Sequence, residues 1–96
     1  MNFSAFKRSL SSRRPDPELS PALAALWWAG KDEWAKSHKI VMDEGDRDSA
    51  WVHAYLHRAE GDLDNAGYWY RQSRHEAATG SLDKEWAEIA TALLKR

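Results

Sequence analysis

The chain has no cysteine among its 96 residues, which excludes disulfides, thiolate metal ligands and cysteine nucleophiles together. No apolar run approaches the roughly 18 residues that a transmembrane helix needs. Proline is absent after Pro21, and no segment alternates apolar and polar residues over the length of a strand. The net charge of −1 provides no strong field to recruit nucleic acid. These absences predict a small helical domain that contacts neither nucleic acid nor membrane, and we expect it in the cytoplasm.

Aromatic residues are abundant, with six tryptophans, three tyrosines and two phenylalanines. A chain of this length buries only about 60–65% of its unfolded surface, so its core is thin. Such a core does not need every aromatic side chain. The excess indicates that some of them lie on the surface and bind a partner.

The first 17 residues differ in composition from the rest. Four bases and no acid occur before Pro15, namely Lys7, Arg8, Arg13 and Arg14. Phe3, Phe6 and Leu10 provide little apolar surface, so we expect residues 1–17 to be poorly ordered and residues 18–96 to form the domain. An arginine- and serine-rich start also fits an organelle transit peptide or a segment that touches a membrane surface.

Hydrophobic periodicity predicts five helices, over about 19–29, 32–44, 47–60, 62–77 and 82–95. Ser20 and Ser81 are the expected N-caps of the first and last. Glycines lie where the helical patterns end, as left-handed C-cap residues do: Gly30, Gly45, Gly61 and Gly80. The last helix has an apolar stripe of Leu82, Trp86, Ile89 and Leu93, which predicts that it caps the others.

The first four helices form two similar pairs. At an offset of 31 residues Gly30 aligns with Gly61, and Ala35 aligns with Ala66. A small residue at this place lets two antiparallel helices approach closely. The sequence therefore predicts an all-α fold of two antiparallel helix hairpins and a C-terminal capping helix.

Residues 54–73, AYLHRAEGDLDNAGYWYRQS, resemble a tetratricopeptide unit. Gly61 takes the turn, and the other matching positions are Ala54, Ala66, Tyr70 and Ser73. His57 stands where an aromatic residue is usual, and the closing proline is missing. The run WVHAYLHRAEGDLDNAGYWYR also resembles one in short, uncharacterised bacterial proteins, a similarity that implies no activity.

The tetratricopeptide resemblance implies a groove that binds protein. It places Trp51, Tyr55 and Arg58 in the groove, whereas Tyr68 and Arg71 lie off the apolar stripe of the next helix. We therefore expect a non-catalytic interaction module that binds a protein segment or a second copy of itself as a homodimer. The pattern predicts no cofactor.

A second hypothesis rests on the histidines. His53 and His57 are four residues apart, and Glu60 follows three later, so all three share one face of a helix. Two histidines at this spacing can chelate zinc, and His38 or His75 could complete the site if the fold brings either close. Asn65 begins the next helix and joins the candidate ligand set. The competing interpretation is that the histidines are hydrogen-bonded core residues.

No catalytic motif is recognisable. There is no serine elbow, no glycine-rich phosphate loop, and no glutamate directly after His53 as zinc proteases require. The acidic residues around Gly45 lack the spacing of a calcium loop. The sequence therefore favours a binding function over an enzymatic one.

Overall fold

The structure is a computed structural model that describes residues 1–96. It contains six α-helices and one short 3-10 helix over Ser9–Ser11, and no strand. The α-helices are α1 (Phe3–Arg8), α2 (Pro21–Gly30), α3 (Trp34–Val41), α4 (Arg47–Ala59), α5 (Leu63–Ser73) and α6 (Leu82–Leu94). The predicted all-α class is confirmed. None of the helices has the length and apolar character needed to cross a membrane.

Side-chain caps explain where three helices begin. The side chains of Ser20, Asp46 and Ser81 each accept a hydrogen bond from the backbone N–H three residues later. The end of α5 was predicted too late. Arg74 adopts a left-handed conformation with φ of 64°, so the helix ends at Ser73 rather than near residue 77.

Two helix pairs form the body of the domain, α2 with α3 and α4 with α5, each joined by a short turn. The turns are similar, with a positive φ at Asp32 (59°) and at Gly61 (86°). These residues are 29 apart, so the structural repeat is 29 residues and the predicted offset of 31 is wrong. Gly30 lies inside α2 and does not form its left-handed cap.

The same offset of 29 relates the small residues at the helix crossings. Ser37 is fully buried, and its hydroxyl donates to the Ala25 carbonyl at 2.6 Å. Its counterpart Ala66 packs in a cluster with Ala54. Ala35, which the sequence placed at the crossing, is exposed. Close approach between α2 and α3 therefore depends on Ser37.

Helix α6 packs across α2 and α4. Trp86, Ile89 and Leu93 are buried, whereas Leu82 at the start of the predicted stripe is exposed. The Trp86 indole N–H donates to the Leu26 carbonyl at 2.9 Å. The helix therefore covers the core through its last three stripe positions.

The N-terminal residues differ from the expectation of poor order. Phe6 of α1 is completely buried and stacks on Trp86, with ring centroids 5.5 Å apart. The Trp27 indole N–H donates to the Ser9 hydroxyl at 2.9 Å, and the Lys31 ammonium donates to the Leu10 carbonyl. The N-terminal segment thus shares the core of residues 18–96, because tryptophans of α2 and α6 provide the surface it packs on.

Gly30 is required for the packing of α6. A Cβ atom there would lie 2.8 Å from Cζ2 of Trp86, a ring that is already fixed by its neighbours. We expect Gly30→Ala to lower the free energy of unfolding by about 1–3 kcal/mol through overpacking. Gly45→Ala is the matched control, since nothing lies within 4 Å of its Cβ position. Urea denaturation curves that coincide for the two variants would contradict this role of Gly30.

Candidate metal centre

Three histidines meet between α3 and α4. His38 comes from α3, whereas His53 and His57 come from successive turns of α4. The Nε2 atoms of His38 and His53 are 3.1 Å apart, and one ring nitrogen from each of the three lies within 4.8 Å of the others. The predicted pair on one helix is thus completed by His38, and not by His75.

Glu60 orients one of these rings. The His57 Nδ1 atom lies 2.7 Å from a carboxylate oxygen of Glu60. A carboxylate only accepts hydrogen bonds, so Nδ1 carries a proton, and in the neutral imidazole the lone pair is then on Nε2. Metal-binding histidines are commonly held by such a carboxylate on the other ring nitrogen.

Two tryptophans enclose the cluster. Trp69 of α5 stacks on His53 with ring centroids 3.9 Å apart, and Trp34 stacks on His38 at 4.6 Å. The Trp34 indole N–H donates to the Leu56 carbonyl at 2.7 Å, which fixes that ring. His53 Nδ1 is buried without a hydrogen-bond partner, so stacking on Trp69 and the contact of Nε2 with His38 position this imidazole.

The environment favours the neutral form of His38 and His53. Burial, together with the nearby His38 and His57, lowers the pKa of His53 to about 4. Burial also lowers the pKa of His38, reinforced by His57 and opposed by Glu60. Neutral imidazole is the form that binds metal, so His38 and His53 have the correct protonation state at neutral pH.

The His53 pKa predicts acid sensitivity of the metal-free protein. Unfolded His53 titrates near 6.5, so between pH 6.5 and 4 the unfolded chain binds a proton that the folded chain does not. Stability should therefore fall as the pH drops through this window, by about 3 kcal/mol from His53 alone. Urea denaturation in EDTA from pH 7.5 to 4.5 measures how the free energy of unfolding changes with pH. The variant His53→Gln should reduce this pH dependence. An unchanged pH dependence in the variant would contradict the prediction.

The spacing of His38 and His53 suits a tetrahedral transition-metal ion. Zinc–nitrogen bonds of about 2.05 Å at tetrahedral angles separate two ligand atoms by about 3.3 Å. His38 and His53 are already at 3.1 Å. Imidazole ligands favour zinc, copper and nickel over magnesium or calcium.

A second group of metal-binding residue types adjoins the first and shares His57. Ligand atoms of His57, Glu60 and Asp62 lie within 4.8 Å of one another. Glu60 and Asp62 are exposed, and Asp62 also caps α5 by accepting from the Asn65 N–H. Glu60 and Asp62 therefore have structural roles beside the histidine cluster. The predicted ligand Asn65 is an exposed residue at the start of α5.

The five predicted partner-binding residues do not form one surface. Tyr55 is buried in the main core, and Arg58 is engaged by Glu85 at 3.0 Å. Trp51 is half-buried and stacks on His75 at 3.6 Å. Only Tyr68 and Arg71 are exposed. The predicted groove residues are covered because α2 and α6 pack on the face of α4 that is opposite α5.

Sequence reasoning assigned no site role to Trp34 or Trp69. Trp34 precedes His38 by four residues, a spacing that stacks two rings along one helix face. Trp69 had no local signal, since its partner His53 belongs to another helix.

Comparison with known proteins gives no relative: no family model, no curated protein and no solved structure matches the chain.

Proposed function

We propose that the protein binds a divalent transition-metal ion, with zinc as the reference ion, through His38, His53 and His57. The observation that carries this proposal is the convergence of three imidazole nitrogens within 4.8 Å. A histidine that only fills a core needs one hydrogen-bond partner for each buried ring nitrogen. The Nε2 atoms of His38 and His53, 3.1 Å apart, have only each other as partners, and an ion bound between them would replace that contact.

Three protein ligands leave one tetrahedral position for water or another ligand. The ion would join α3 to α4, and Glu60 would hold His57 in the metal-binding tautomer. Binding to the folded state alone stabilises it, by about 2.7 kcal/mol when free metal is 100-fold above the dissociation constant. In a domain of this size we expect the melting temperature to rise by about 10 °C or more.

The test is titration of EDTA-stripped protein with Zn²⁺ by calorimetry, together with thermal melts. His38→Ala removes a ligand that is only partly buried, and we expect affinity to fall by more than about 100-fold. Glu60→Gln keeps its size but loses its charge, and should weaken binding by about 10–100-fold. His75→Ala is the matched control, because His75 lies outside the cluster and stacks on Trp51.

Stoichiometric binding that His38→Ala abolishes and His75→Ala preserves would support the proposal. Absence of zinc, copper and nickel binding by the stripped wild-type protein would overturn it. Equal loss of affinity in the His38 and His75 variants would also overturn it, since that result would assign binding to surface histidines.

The protein-interaction hypothesis stays a prediction. Tyr68 and Arg71 are the two members of its residue set with an exposed side chain. Light scattering of the wild-type protein and a Tyr68→Ala/Arg71→Ala variant would test the predicted homodimer.

A further inference from the structure

A cavity of about 270 Å³ lies where α1, α2, α4 and α6 meet, and none of the three clustered histidines lines it. It adjoins a second cavity of about 320 Å³, and both are lined by Asp32, Tyr55 and Asp83. Trp86 and Phe3 form part of the apolar wall of the first. The combined space is within the range of small-molecule sites.

Tyr55 is the unusual residue of this cavity. Its side chain is 8% exposed, yet its hydroxyl makes no hydrogen bond within the chain. The hydroxyl keeps some accessible surface, and the residue lines both cavities. The hydroxyl therefore has no partner within the chain and is open to a ligand in the cavity.

The electrostatic character of the cavity is negative. Neither Asp32 nor Asp83 forms a salt bridge, although both line the two cavities. Burial, followed by the carboxylates of Glu85, Asp83 and Asp32, raises the pKa of Tyr55 to about 12. Its hydroxyl is therefore neutral and can accept a hydrogen bond from a cation.

One basic residue opposes the negative potential of the cavity. Lys7 of α1 also lines the first cavity, and its exposed ammonium has no carboxylate within salt-bridge distance. Asp32 has a φ of 59°, which places its backbone in a conformation that only glycine, asparagine and aspartate adopt readily. That conformation belongs to the turn between α2 and α3, and it holds the unpaired Asp32 at the cavity wall.

We propose that this cavity binds a small organic amine, with the ammonium group beside Asp32, Asp83 and the Tyr55 hydroxyl and the apolar body against Trp86 and Phe3. Carboxylates and a hydroxyl accept the ammonium hydrogens. The ligand class is a primary amine on an alkyl or aryl body.

The probe is 2-phenylethylamine, compared with the neutral isostere 2-phenylethanol. Titrations follow tryptophan fluorescence and NMR shifts in EDTA, so that no metal ion can bind the amine. We expect the amine to bind at least about tenfold more tightly than the alcohol, because its hydrogen bonds involve a charge. Equal affinities, or no amine binding up to millimolar concentration, would overturn the proposal.

Variants assign the binding to the cavity. Asp32→Asn preserves the backbone preference, and Asp83→Asn keeps the size of the side chain; each should weaken amine binding about threefold. Tyr55→Phe should weaken it while leaving the ring packed, and Lys7→Gln should strengthen it. Asp64→Asn is the matched control, since Asp64 holds the equivalent first-turn position in α5. Amine affinity unchanged in Asp32→Asn/Asp83→Asn, or reduced equally by Asp64→Asn, would overturn the proposal.

Discussion

Replacing Trp86 with alanine is expected to lower the free energy of unfolding by about 3–5 kcal/mol. The ring is 8% exposed, stacks on Phe6 and meets the edge of Phe3 at 6.0 Å. Its N–H also donates to the Leu26 carbonyl. The variant loses contacts to α1 and α2 together, so a domain with about 5–15 kcal/mol of total stability is at the margin of folding.

Urea denaturation followed by circular dichroism measures this loss. Leu82→Ala is the control on the same helix, because Leu82 is 37% exposed and should cost less than about 1 kcal/mol. Trp86→Phe separates the contribution of ring packing from that of the hydrogen bond, since it retains an aromatic ring but removes the indole N–H that donates to the Leu26 carbonyl. A Trp86→Ala variant as stable as Leu82→Ala would show that α6 is not a necessary part of the core.

Helix starts were predictable because their signals are local. A serine or aspartate side chain that caps the next turn needs no contact from elsewhere in the chain, and Ser20 and Ser81 cap as expected. The end of α5 depends on a left-handed Arg74, which no composition rule favours. Helix α1 was missed because its stability comes from Phe6 packing on Trp86, a residue 80 positions later.

The candidate site was also predictable in part, because some of its signals are local. His53 and His57 share one helix face by spacing alone, whereas their distance to His38 depends on how α3 packs against α4. The tetratricopeptide resemblance placed Tyr55 in a groove, whereas the residue is only 8% exposed. Both faces of α4 are buried, because α5 covers one and α2 with α6 cover the other.

The other change with a large expected effect is at Glu85, which the sequence indicated only as a charge near the start of α6. Glu85 is 3% exposed and accepts a hydrogen bond from the Tyr70 hydroxyl at 2.5 Å and one from Arg58 at 3.0 Å. Arg58 also donates to the Gly80 carbonyl. This buried network connects α4, α5 and α6.

We expect Glu85→Gln to lower the free energy of unfolding by about 3–5 kcal/mol, because it leaves the mostly buried Arg58 without a counter-charge. Tyr70→Phe removes one hydrogen bond to the carboxylate and should cost only about 1.5–3 kcal/mol. The double variant Arg58→Met/Glu85→Leu should be more stable than Glu85→Gln, since an apolar pair leaves no unpaired charge. Urea denaturation of the three variants gives the comparison. If Glu85→Gln unfolded within 1 kcal/mol of wild type, the ionic description of this network would be wrong.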